Sequence, residues 1–179
     1  MTENGADGAA ADLAAFAEGP FWRFSLTAYA KPEVAAACLR LQDEHGLDVN
    51  LVLFCLWAGS LGLRLDDQRL AAAAAEARAW QRHAVAPLRQ VRRWLKANAA
   101  AAGDKAARLR QAVKEQELRA EAIEQERLGR HLEGAGGPAD AGLALDNFKA
   151  YLRTEGVAYG QEIEIIYNNI LYSIIDHQD

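Results

Sequence analysis

Apolar residues recur at helical spacing along most of the chain and almost nowhere alternate as a half-buried strand requires. Gly19-Pro20 opens a short aromatic helix bearing Phe21, Phe24, Leu26 and Ala28, with Trp22 and Tyr29 beside them. Lys31-Pro32 restarts the chain. Val34, Cys38 and Leu41 then follow at i, i+4, i+7 and predict a helix to about Glu44. His45-Gly46 ends it, glycine being suited to the left-handed C-terminal position. Asp48 is placed to cap the next helix, Val49 to about Gly62, which is apolar nearly all round. Helices of that kind lie at the centre of a fold.

Asp66 or Asp67 caps a further helix through the alanine run 71–75 to about His83, and Pro87 predicts a kink or a new start. Val85, Leu88, Val91 and Leu95 keep a 3–4 spacing beyond it, fading near Asn98. Residues 99–105 read as a turn, with Asp104 capping a long charged helix to about Leu132. GAGGPADAG (134–142) reads as a flexible linker, and a helix follows from Leu143 to about Thr154. Near the C-terminus, Ile163, Ile166, Ile170 and Ile174 suit a helix better than a strand, although the β-branched residues and interleaved glutamates leave the strand open. The expectation is therefore an all-α fold of six or seven helices with a buried central helix and a long charged hairpin. Residues 1–19 would be a flexible tail, 20–133 the core and hairpin, 134–142 the linker, and 143–179 C-terminal helices packing on the same domain.

Composition agrees. Alanine, the best helix former, supplies 38 of 179 residues, and proline only four. The Val49–Leu63 run is too short for a bilayer core of roughly 30 Å, and the N-terminus lacks the basic and apolar regions of a secretory signal. A cytoplasmic protein with Cys38 and Cys55 as free buried thiols is expected. The net charge of −5 conceals an asymmetry: residues 1–68 carry −6, 69–110 carry +8, 111–133 carry −2 and 134–179 carry −5.

The segment FWRFSLTAYAKPEVAAACLRLQDEHGLDVNLVLFCLWAGSLG (21–62) resembles a proteobacterial family, the domain of unknown function numbered 2390. The resemblance rests on Phe21, Trp22, Phe24, Ser25, Leu26 and Tyr29, then on Cys38, Leu39, Leu41 and Gln42. It continues through His45, Gly46, Asp48, Val49, Asn50, Leu53, Phe54 and Trp57. Trp80 with PLRQVRRWLK (87–96), VKEQELRAEAIEQ (113–125) and DNFKAYL (146–152) extend it to about residue 155. It implies a soluble bacterial helical protein and brings no activity with it.

Two groups of residues carry candidate chemistry. Arg89, Arg92, Arg93 and Lys96 lie on one helical face, with Arg82 seven residues earlier. Val85, Leu88, Val91 and Leu95 would face the other way. Such a face is solvated, or pairs with Glu115, Glu117, Glu121 and Glu124 of the next helix, or meets a protein partner, or binds phosphates with Trp94 as a stacking surface. The second group is Gln42, Asp43, His45, Asp48 and Asn50 at the HGLDVN turn, with Trp22, Arg23 and Trp57 as possible walls. It reads as a capping network or as a small pocket supporting acid–base work. The aromatic residues of 21–57 read as core, or as lining for a ligand between the two N-terminal helices. No nucleophile–base pair, Walker motif, GxGxxG or metal-ligand spacing occurs, so no catalytic residue, metal or cofactor is expected. These features lead to a non-enzymatic adaptor or regulator that meets a protein partner through the basic face. The alternatives are an enzyme or ligand binder at the HGLDVN turn, and a nucleic-acid-associated protein.

Overall fold

The apolar segment after Asp48 folds as the expected central helix. In the computed structural model, which describes residues 19–132 and 136–175, α1 spans Pro20–Tyr29, α2 Pro32–His45 and α3 Val49–Ser60. Of residues 99–102 and 172–175 only the backbone is described. The tail expected over 1–19 lies outside the described residues except for Gly19. So do 133–135 of the linker region, and His177. Asp48 caps α3, its Oδ1 accepting from the Asn50 N–H at 2.8 Å. Every residue from Asn50 to Gly59 is buried. Gly46 ends α2 at φ 68°, in the left-handed conformation that a side chain disfavours.

Beyond α3, Asp66 caps α4 (Asp67–Trp80) by accepting from the Arg69 N–H at 2.7 Å. No kink follows. A π-helical turn, Gln81–Val85, passes without a break into α5 (Ala86–Ala97). Pro87 has no N–H and its ring crowds the carbonyl four residues back; the wider π turn absorbs that conflict. The expected turn at 99–105 falls at Gly103, whose φ of 64° and ψ of −168° break α6 (Ala99–Gly129) into two helical segments, and a 3₁₀ turn at Arg130–Leu132 ends it. α7 (Ala141–Thr154) and α8 (Gln161–Ile175) complete the chain; the isoleucine-rich segment is helical. Counting α4 and α5 as one continuous rod, the described residues form seven helices and no strand.

α3 packs most extensively on α7, α5 on α6, and α2 on α8. The close approach of α3 and α7 depends on Gly59, where a Cβ would stand 2.4 Å from that of Ala144. Described residues of the expected linker are tied to the end of α3: Gly137 N–H donates to Leu61 at 2.8 Å and Asp140 N–H to Gly59 at 2.9 Å. Phe21 stacks on Trp57 at 4.8 Å and Phe148 on Tyr167 at 4.7 Å. Cys38 and Cys55 are free and buried.

Candidate functional site

The charged hairpin of α5 and α6 is built inward as well as outward. Arg89 and Arg92 turn toward α6. Arg89 donates to Glu117 at 2.9 Å, to Glu121 at 2.6 Å and to Gln42 at 3.0 Å. Arg92 makes a two-point contact with Glu117. These are partly buried, multidentate ion pairs, the kind that fixes geometry. The two arginines hold Glu117 below the usual carboxylate range against the upward push of its burial. Arg93 and Lys96 stay exposed, and the nearest carboxylate to Arg93 is Asp43 at 3.9 Å.

The apolar face expected opposite these cations divides. Val85 and Leu95 are buried, whereas Val91 and Trp94 are exposed, Trp94 by 63%. The reason is that α5 has one neighbour along its length. The same face must therefore hold Leu95 and the two paired arginines, leaving Val91 outside it.

A cavity of about 810 Å³ opens between this hairpin and the N-terminal helices. Trp22, Gln42, Asp48 and Asn50 line it, as do Arg82, Arg89, Arg92 and Arg93. The sequence groups at the HGLDVN turn and on the basic helix, read separately, thus share one space. Arg23, His45 and Trp57 are not among its lining residues. Trp57 is instead held in the core by Phe21. Tyr29, one of the aromatic residues read as core or ligand lining, stands in the wall, and residues missed in the sequence complete it: Leu26 and Leu39 from α1 and α2, and Lys114, Leu118, Glu121 and Gln125 from α6. Leu26, Tyr29 and Leu39 are 54%, 40% and 53% exposed, so apolar surface remains open around the cavity. The heptad-like apolar face of α2 gave no hint of Leu39, which lies off it.

Behind the cavity wall lies a polar layer. Gln125 donates to Asn50 Oδ1 at 2.8 Å, Gln81 to Glu124 at 2.9 Å, and the Asp48 N–H to the Tyr151 hydroxyl at 2.9 Å. Asp48 Oδ2 and Glu124 Oε1 are sealed from solvent and accept from no N–H or hydroxyl. The two carboxyls are in hydrogen-bond contact, which satisfies both oxygens when one proton lies between them. Burial and the nearby Asp48 charge push Glu124 up to about 9, so the proton is retained at neutral pH. Asp48 is raised by burial as well. Gln125 Oε1 and Ser25 Oγ, both on lining residues, have no partner.

At the far end of α2, Glu44, His45 and Glu162 each bring a ligand atom within 4.8 Å of the others. Arg40 already bridges the two glutamates, at 3.2 and 2.9 Å. Sequence spacing hid this group because Glu162 comes from α8.

No curated protein and no solved structure matches the chain. A family model matches residues 20–128, which include every lining residue of the cavity except Tyr151 and Glu155; DNFKAYL lies beyond the match. By that match over more than half its length, the chain belongs to the family described as "Protein of unknown function (DUF2390)".

Proposed function

We propose that the protein binds a small, largely apolar molecule in the cavity between α1, α2 and the α5–α6 hairpin. The observation that carries this reading is the exposed apolar wall of Leu26, Tyr29 and Leu39 around a space of about 810 Å³. Ligand pockets of soluble proteins are concavities of roughly 300–1,000 Å³, mainly apolar with a few placed polar groups. Gln42 and the cations Arg82 and Arg93 at the same cavity supply those groups. Titration calorimetry with 1-decanol tests the reading. Saturable heat with the wild-type chain, weakened by Leu39→Asn, is the expected result. No binding by decanol or its charged analogues would end it.

A second reading rests on Val91 and Trp94, exposed at i, i+3 on the outside of α5 beside Arg93 and Lys96. An aromatic anchor flanked by cations suits a protein partner, as an adaptor or regulator would need. Pull-downs with the wild-type chain and with Val91→Glu/Trp94→Glu would test it; identical partner lists would remove it.

A further inference from the structure

Resting on the cavity-binding reading, the charges of the lining residues narrow the ligand. Arg78 is matched by Glu155 at 2.8 Å, and Arg89 and Arg92 are matched by Glu117 and Glu121. Arg82 and Lys114 also line the cavity, and neither has an ion-pair partner among the described residues. Arg93 has only the 3.9 Å approach to the exposed Asp43. The remaining negative charge, shared by Asp48 and Glu124, is directed into the protein. Asp48 Oδ1 accepts the Asn50 N–H, and Asp48 Oδ2 is sealed beside Glu124. The side of the cavity open to solvent therefore has a surplus of cations over an apolar wall.

We infer that the ligand is an amphipathic organic anion. Its apolar body lies on Leu26, Tyr29 and Leu39, and its carboxylate or phosphate head is held at one end of the hairpin wall by cations drawn from Arg82, Arg93 and Lys114. A guanidinium presents paired N–H donors that match either head group, and an ammonium adds a point charge. Arg82 and Arg93 are separated by three helical turns, about 16 Å along the axis at 1.5 Å per residue. They stand near opposite ends of the hairpin wall, so the head engages one end of the cavity rather than all three cations at once.

The test uses the whole chain and four probes of one skeleton: decanoate, decyl phosphate, decylamine and 1-decanol, each titrated below its aggregation concentration. Decanoate or decyl phosphate should bind at least tenfold more tightly than decanol, with the advantage shrinking as salt rises. Which of the two binds tighter identifies the head group. The variant Arg82→Gln/Arg93→Gln/Lys114→Gln should bring the anion down to decanol's affinity while leaving decanol unchanged. These three side chains are exposed, and an unaltered melting midpoint confirms that the variant folds. Equal binding of decanol and the anions, tighter binding of decylamine, or an unaffected triple variant overturns the inference while the cavity reading stands. If none of the four probes binds, both fall.

Discussion

The side-chain oxygen of Asn147 accepts the backbone N–H of Leu65 at 2.8 Å, joining α7 to the loop that leaves α3. The same amide donates to the carbonyls of Leu63 at 2.9 Å and Cys55 at 3.4 Å. A loop backbone buried against helices needs such partners, because unpaired polar groups out of water are costly. Asn147→Leu should destabilise the fold by about 2–4 kcal/mol, measured by urea unfolding.

Gly59 allows the α3–α7 contact. Gly59→Ala would force a Cβ into the Ala144 backbone, which cannot rotate away. Overpacking of this kind costs about 1–3 kcal/mol, which should outweigh the helix-propensity gain of about 1 kcal/mol from replacing glycine. A lowered melting midpoint is the expected outcome.

Arg89 and Arg93 are four residues apart on one helix yet predict opposite results. Removing Arg89 leaves the buried Glu117 with Arg92 alone and the half-buried Glu121 without its cation. Arg89→Ala should cost about 2–3 kcal/mol, below the full value for a deeply buried pair because some solvent reaches it. Arg93→Ala, at an exposed side chain, should change stability by less than about 0.5 kcal/mol. Chemical denaturation of both variants distinguishes them.

Glu124 makes the stability depend on pH on the alkaline side. Its folded pKa, about 9, lies above the ordinary value of 4.5, so the folded state binds the proton more tightly than the unfolded chain does. The favourable contribution is complete below about 4.5 and is lost as pH rises toward 9. The raised Asp48 acts in the same direction, while the lowered Glu117 loses its contribution on the acid side. Glu124→Gln should flatten the decline between pH 5 and 9. The amide donates to Asp48 without a proton to lose, and its oxygen still accepts from Gln81. Unfolding midpoints at pH 5, 7 and 9 check this.

The helices and caps were legible in the sequence because they follow from local rules. Asp48, Asp66 and Gly46 act where spacing placed them, and the all-apolar helix is buried on every side. The cavity was legible only in fragments. Gln42, Asp48 and Asn50 belong to one local motif, but Lys114 and Gln125 reach the same space from α6, and no periodicity records that convergence. The pairing of Arg89 and Arg92 with Glu117 and Glu121 stood among the sequence readings of the basic face, but charge at helical spacing alone does not reveal which of the cations the neighbouring helix takes. Pro87 marked the new start of α5 in its first turn, although not the π turn that carries the chain into it.

The ring of burial around α3 has a consequence for where the folding unit ends. The family match stops at residue 128, yet α7 supplies Phe148 and Ala144 to the core around α3, and the Tyr151 hydroxyl that receives the Asp48 N–H. A chain stopped at the family boundary would uncover a helix that has no polar side to offer water. The family match and the packed core of the described residues are thus different lengths of the same chain, and residues 141–154 belong to the second.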